Sequence, residues 1–186
     1  MKLNALITPT ITLTLALLAL PGSPAHAASA AELTQKSRAA LNHLYSVNGK
    51  AHQLGQHAKA VLVFPEIVKA GFIVGAQRGD GVLFVHGRVT GFYNTTAASY
   101  GLQAGVQKFG YAMFFMDNNA LGYLRRSGGW ELGSAPSVVV VDEGFARGLS
   151  TTSIRKGIYA FFFGQRGLMA GLGLQGTKIT QFTPSD

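Results

Sequence analysis

The sequence contains no cysteine, and this absence removes several kinds of protein from consideration. A disulfide-stabilised scaffold, a cysteine zinc site, an iron–sulfur cluster and a thiol nucleophile all need that residue. Charged side chains are also scarce, at 13% of the 186 residues, whereas hydrophobic residues make up 47%. A chain this apolar and this poor in charge is not intrinsically disordered. Its length suits one folded domain.

Acidic residues are few, since 8 Asp and Glu stand against 16 Lys and Arg, for a formal net charge of +8. The surplus of positive charge favours an acidic partner. Nucleic-acid-binding proteins usually carry denser Lys and Arg, so nucleic acid is not the expected partner. Glycine, by contrast, is plentiful, at 24 residues. The composition is that of an apolar, glycine-rich domain with a basic surface.

Residues 1–27 have the pattern of a secretory signal peptide. Lys2 supplies a positive start, an uncharged apolar run follows over 3–20, and Ala25-His26-Ala27 gives the small-x-small pattern of a cleavage site. The apolar run is also about long enough to stay in a membrane as an anchor, which is the alternative. We expect cleavage near Ala27. The mature protein, a single domain over 28–186, is then periplasmic or secreted and peripheral at a membrane.

Helical periodicity is clearest at the start of the mature chain. Ser29 and Glu32 form a capping-box pattern at the head of a predicted helix over 29–47. A second, shorter helix is predicted at about 50–57. Another short helix is predicted over 118–127, with its leucines inward and its arginines outward.

From residue 59 onward the sequence is typical of β-strands separated by turns. The β-rich runs are KAVLVF, AGFIVGAQ, VLFVHG, ASYGLQAGVQ, YAMFFMD, SVVVV, IYAFFFG and LMAGLGLQGTKITQF. We predict that Pro65 ends the first run, that a turn at 78–81 joins the second to the third, and that the fourth pairs with the fifth. A turn at 165–167 is predicted to join the last two. The fold class is α+β: an N-terminal helix packed on a curved, Gly-rich antiparallel β-sheet, either open or closed as a barrel.

Glycines recur at even spacings within these runs, as at Gly71, Gly75 and Gly79 and again at Gly101 and Gly105. Because side chains alternate between the two faces of a strand, residues at even spacings share a face. Glycine weakens a strand interior and marks bends or close approaches of backbone. The spacing predicts bends in the sheet, and a face that lines a ligand cavity is the alternative.

Four segments occur in an order typical of one family: AKAVLVFPEIVKAGFIVGAQRGDGVLFV, ASYGLQAGVQ, SGGWELG and FFFGQRGLMAGLGLQGTKIT. They resemble the SYLF domain, a lipid-binding domain with yeast actin-associated relatives, and the likeness extends over about 33–182. It implies an exported bacterial member that binds anionic phospholipids, with phosphoinositide-like head groups in relatives. Relatives commonly carry an acidic residue before the last hairpin, where this chain has Arg155 and Lys156. Actin is not expected as a partner of an exported protein.

Candidate catalytic and metal-binding residues do not form a recognisable set. His52 and His57 are five residues apart rather than the three or four that place two ligands on one helix face. Asp142-Glu143 precedes Gly144 and suits a solvated turn. No G-x-S-x-G nucleophile elbow occurs. We therefore expect no enzyme, no cofactor and no metal.

Basic residues supply the candidate lipid contacts, since each Lys or Arg near an anionic membrane surface contributes about 1 kcal/mol. Those predicted to contact lipid are Lys50, Lys59, Arg125, Arg126, Arg155, Lys156 and Arg166. Apolar groups must also enter the interface. Phe162, Phe163 and Leu168, beside Arg166 at the predicted last turn, are expected to do so. Core packing is the alternative role of these apolar side chains.

The sequence thus predicts non-enzymatic binding of anionic phospholipids at a membrane surface in the bacterial envelope. Two other functions fit parts of the pattern. One is a periplasmic carrier that holds an apolar ligand in a Gly-lined cavity. The other is an outer-membrane β-barrel, which is disfavoured because runs such as VLVF and SVVVV are apolar on both faces, whereas strands around a wet lumen alternate.

Overall fold

The computed structural model describes residues 29–126, 128–133, 136–141, 156–166, 174 and 176–184. The predicted signal peptide lies outside these residues. Within them the fold class is α+β, with helices packed on a curled sheet that forms a half-barrel.

Two helices begin the described chain, α1 at Ala30–Val47 and α2 at Gly49–His57. The Ser29 hydroxyl caps α1 by accepting a hydrogen bond from the Glu32 N–H at 3.2 Å. The Asn48 side chain caps α2 by accepting from two backbone N–H groups at 3.1 and 3.0 Å. Because Asn48 ends one helix and starts the next, no loop separates them. Both predicted helices are confirmed.

One long hairpin forms most of the sheet. Its strands, β1 (Ala60–Val85) and β2 (Arg88–Phe115), are antiparallel and paired from end to end. His86 and Gly87 join them with positive φ values of 48° and 75°. Positive φ at two successive residues is typical of the two-residue turn whose twist matches that of the hairpin strands.

Three predicted boundaries inside this hairpin are wrong. Pro65 does not end a strand, because the pairing register shifts between Phe64 and Ile67 and accommodates the proline in an irregularity. Residues 78–81 are paired strand rather than a turn. ASYGLQAGVQ and YAMFFMD do not pair with each other, because they are successive parts of β2.

The hairpin is bent back on itself at its glycines. A Cβ added to Gly71 would overlap the Cα of Gly75, so the two residues touch on the concave side of a sharp bend. Beyond the bend, the second half of β1 crosses close to the first half. A Cβ on Gly79 would lie 2.7 Å from the Glu66 carbonyl oxygen, and one on Gly81 would lie 2.6 Å from another β1 carbonyl oxygen. The bends that the glycine spacing predicts are confirmed in β1.

The remaining elements are α3 (Asn118–Gly122), a 3-10 helix (Tyr123–Arg125), β3 (Trp130–Glu131), β4 (Val138–Val140), β5 (Ile158–Arg166) and β6 (Lys178–Phe182). The described residues form six strands, with the order β3-β6-β2-β5-β4 and β1 also paired to β2. In the described residues β5 and β6 pair with opposite ends of β2 and not with each other, and residues 167–173 of the predicted last hairpin lie outside the described residues. β4 runs parallel to β5, so the sheet is mixed rather than purely antiparallel.

The core has one cluster on each face of the sheet. The inner cluster fills the curl and includes Phe64, Ile67, Tyr93, Phe109, Tyr111, Met113, Phe115 and Trp130. The outer cluster joins the helices to the sheet and includes Leu33, Leu44, Leu54, Val63, Val82, Phe84, Phe114 and Phe161. Burying one such large apolar side chain stabilises the fold by about 1.5–3 kcal/mol. The helices therefore cover the outer face at the base and tip of the hairpin.

Replacing Gly79 or Gly81 with alanine is expected to destabilise the protein by about 1–3 kcal/mol, because the new methyl group would collide with a backbone carbonyl oxygen, which cannot move aside as a side chain can. Urea unfolding followed by circular dichroism measures the loss. Gly122→Ala is the matched control, since nothing lies within 4 Å of its added Cβ. Equal stability of the three variants would contradict the crossing.

Asp117 ties the end of β2 to two other segments. Its carboxylate accepts a hydrogen bond from the Gly157 N–H at 2.8 Å and from the Ala120 N–H at 2.8 Å. These backbone hydrogen bonds lower the pKa of Asp117 from its ordinary value, and the charge of Lys156 adds to the effect. Since the folded-state pKa is the lower one, this stabilisation is present above the unfolded pKa of about 3.9 and is lost as pH falls through the folded pKa.

Asp117→Ala is accordingly expected to cost about 1–2 kcal/mol of stability at neutral pH, the usual loss for a helix cap. The difference from the unaltered protein should shrink as pH falls through the acidic range, where both proteins lack the charged carboxylate. Unfolding curves at a series of pH values test this. A difference that stays constant down to strong acid would show that the charge of Asp117 is not what stabilises the junction.

Candidate functional site

The convex side of the hairpin bend carries small apolar side chains that face solvent. Because Gly71 and Gly75 lie on the concave side, the alternating neighbours point the other way. These exposed residues are Val68, Ala70, Val74, Ala76, Ala98 and Val106, and we call them the crest. Val68, Val74 and Val106 are 37%, 58% and 61% exposed, and they are three of the five exposed large hydrophobic side chains among the described residues.

Two cations lie beside the crest on the side of β5. Lys108 pairs with Val68 on β1 and with Arg166 on β5, so the three residues form one row across the sheet. Both cationic side chains are exposed. The row therefore places two positive charges next to exposed valine, although their side chains come from strands that are distant in sequence.

The counterions of this row are few. Lys108 Nζ lies 3.0 Å from Glu66 Oε1, with about half of each side chain exposed. An exposed ion pair of this kind contributes about 0–1 kcal/mol, so an incoming anion displaces it at little cost. The Arg166 side chain forms no ion pair or hydrogen bond with the residues that the structure describes. The row can thus accept an anionic group.

The basic residues predicted from sequence do not form one site. Arg166 adjoins the crest, but Lys156 precedes the opposite end of β5, close to Asp117. β5 is nine residues long, so about 30 Å separates Lys156 from Arg166 at the rise of a strand. Lys59 also lies at that far end, where its N–H donates to the Phe115 carbonyl at 2.8 Å. One lipid head group cannot contact both ends.

The other predicted basic residues belong to further separate places. Arg125 ends the 3-10 helix, and the guanidinium of the next residue, Arg126, lies 3.8 Å above the ring of Tyr123. Lys50 lies in the first turn of α2. Arg155 and Leu168 fall outside the described residues. Of the seven predicted basic contacts, Arg166 is the one described residue that adjoins the crest.

The two phenylalanines predicted to enter a membrane are partly buried against the core. Phe162 packs on the inner cluster, with its ring centroid 5.8 Å from that of Phe109 and 5.7 Å from that of Tyr111. Phe163 packs on the outer cluster and lies against Gly110. These positions agree with the alternative role, core packing. Gln165 and Arg166 belong to β5, so the predicted turn at 165–167 is wrong at these two residues, and Gly167 lies outside the described residues.

The sequence interpretation missed Lys108 and the exposed valines. A signal for them exists, because Val106 and Lys108 alternate with the buried Gln107 and Phe109. A period of two marks one exposed face of a strand. That pattern does not predict which strand pairs with β2 at Lys108, and so it does not predict that Arg166 of β5 lies beside Lys108.

Two general features of the described residues bear on function. No group of three or more His, Asp or Glu side chains there is placed to hold a metal ion. None of the described helices combines the length and the apolar character needed to span a bilayer.

Comparison with known families gives a match over about the C-terminal half of the chain. Residues 96–184 match the family described as Ysc84, Las17-binding protein actin regulator. This segment matches the SYLF domain family. The resemblance seen in the sequence is thereby confirmed for these residues, and the family is associated with binding of lipids and actin. No curated protein matches the chain.

The SYLF match covers most of β2 and every described element after it. It includes Ala98, Val106, Lys108 and Arg166. The rest of the crest comes from β1, which lies before the matched segment. The candidate site thus joins side chains from the matched SYLF segment and from the strand that precedes it.

Proposed function

We propose that this protein binds anionic phospholipid membranes and catalyses no reaction. The crest enters the interfacial region of the bilayer, and Lys108 and Arg166 contact lipid phosphates. The observation that carries the proposal is the set of three exposed valines on the convex bend, directly beside these two cations. Peripheral membrane binding needs this combination of apolar surface and positive charge.

The magnitudes favour weak, reversible association. A partly exposed valine gains roughly 1 kcal/mol when its remaining apolar surface leaves water. Each cation near an anionic surface adds about 1 kcal/mol. Together the three valines and two cations supply about 5 kcal/mol before any cost of ordering, which is the scale of a peripheral contact. Because the charged part is screened by ions, binding should weaken as salt rises.

We further propose that the membrane concerned is in the bacterial envelope. The signal-peptide pattern over 1–27 supports export, and the lack of cysteine is compatible with an oxidising compartment. The formal net charge of +8 favours anionic lipid over neutral lipid. Phosphoinositide-like head groups are implied as ligands by the resemblance to relatives. For this chain we propose only the part that such head groups share with other anionic phospholipids, the lipid phosphate. Actin is not proposed as a partner, because an exported protein does not meet it.

Vesicle co-sedimentation tests the proposal. Wild-type protein at low salt should bind vesicles that contain phosphatidylglycerol and should not bind pure phosphatidylcholine. The Lys108→Gln, Arg166→Gln double variant should bind about 30-fold more weakly, since two cations at about 1 kcal/mol each are lost. Its matched control is Lys36→Gln, Arg88→Gln, which removes the same charge from α1 and from the hairpin tip.

Two results would contradict the proposal. One is equal binding to neutral and anionic vesicles, or to neither. The other is an equal effect of the two double variants, which would mean that net charge rather than the crest controls binding.

Removing the internal competitor for Lys108 should have the opposite effect. Glu66→Gln is expected to strengthen vesicle binding about 2–5-fold, because Lys108 then has no carboxylate 3.0 Å away. Glu32→Gln is the matched control, because it changes the net charge equally and also breaks an exposed ion pair, but one with Lys36 on α1 rather than with Lys108. If both variants bind more tightly to the same extent, the Glu66 ion pair has no special role.

A further inference from the structure

The slope of the bend opposite Lys108 carries a second row of exposed polar side chains. Arg78 of β1 pairs with Thr96 of β2, and Thr96 pairs with Lys178 of β6. All three side chains are exposed. Arg78 lies two residues beyond Ala76 of the crest, so it shares the crest's face of the sheet. Two cations therefore flank a threonine on this slope.

The spacing of this row suits one phosphate group. Neighbouring strands lie about 4.8 Å apart, so the Cα atoms of Arg78 and Lys178 are about 10 Å apart across Thr96. Two long cationic side chains can converge over that distance onto a single anion. The guanidinium can bind two phosphate oxygens at once, the ammonium acts as a point charge, and the threonine hydroxyl between them can donate a hydrogen bond.

Two carboxylates lie near the row and affect its cations unequally. Asp80, two residues from Arg78, accepts a hydrogen bond from the Asn94 side chain at 2.7 Å. Glu131 pairs with Lys178 in the neighbouring strand and offsets part of its charge. Arg78 forms no ion pair with any residue in the described part of the chain. Arg78 is therefore expected to be the stronger anion contact of the two.

The two cationic rows are placed alike with respect to the crest. Lys108 lies two residues from Val106, and Thr96 of the second row lies two residues from Ala98. Two residues of strand cover about 7 Å, so each row lies just behind the apolar apex. If the crest enters the interfacial region of a membrane, the cations of both rows then lie at the level of the lipid phosphates.

We propose that Arg78, Thr96 and Lys178 form a second head-group site for an anionic phospholipid. This inference rests on the membrane binding proposed above and adds an orientation to it. The crest at the apex of the bend enters the bilayer, and one cationic row lies on each side of it. The helices α1 and α2 lie away from the lipid. A protein bound by the Lys108 row alone would instead lie tilted onto one slope.

The first test is the Arg78→Gln, Lys178→Gln double variant on the same phosphatidylglycerol vesicles. It should bind about 10–30-fold more weakly than wild type, with a shallower dependence on salt, while Lys36→Gln, Arg88→Gln changes binding much less. Suppose wild type binds and Lys108→Gln, Arg166→Gln weakens binding, yet the new variant equals the control. The second site is then wrong and the proposed function stands. If wild type binds no anionic vesicle, both fall.

The second test measures the orientation directly. Because the chain has no cysteine, single cysteines can be introduced at exposed positions and labelled with a polarity-sensitive fluorophore. Labels at Val74, Ala98 and Val106 should all shift to shorter wavelength on anionic vesicles and become shielded from an aqueous quencher. A label at Val47, which is 67% exposed at the end of α1, is the control and should not respond. A response at Val106 without one at Ala98 would overturn the two-slope orientation.

Discussion

The fold depends on a single close approach within β1. Carbonyl oxygens of the first half of this strand occupy the space where side chains of Gly79 and Gly81 would otherwise lie. The contact is possible only because the hairpin folds back at Gly71 and Gly75. Once it is made, the concave face of the curled sheet buries the large aromatic residues of the inner cluster. The two ends of β2 are then free to pair with different strands, β6 at one end and β5 at the other.

The exposed crest is a consequence of the same geometry. The helices cover the outer face where the hairpin halves are straight, and Arg38 of α1 shows this at the tip. Its guanidinium lies 4.9 Å above the Phe84 ring and donates a hydrogen bond to the Gly87 carbonyl at 3.1 Å. A straight helix cannot follow the sheet around a sharp bend. The apex therefore remains uncovered, and its small side chains keep the exposed apolar area modest.

Local features of the fold were predictable, and the long-range ones were not. Ser29 at the start of α1 follows from capping chemistry that acts within one helical turn. The run Gly79-Asp80-Gly81 has the composition of a turn, yet it needs glycine for a crossing with residues far along the same strand. Local composition does not distinguish a glycine needed for a turn from a glycine needed where two parts of the backbone come close together. Arg166 was found as a surface cation, but its neighbour Lys108 depends on a pairing across 58 positions, which a reading of short windows does not give.

The long hairpin also bears on the order in which the chain folds. Its first pair, Val85 with Arg88, closes almost no loop, and each later pair adds to an existing ladder until Ala60 meets Phe115. Strand pairing of this kind proceeds like a zipper from the turn and avoids the large entropy cost of joining distant segments at once. The bend and its convex surface can therefore form before β5 and β6 are in place. The later strands then add to a template that already has its curvature.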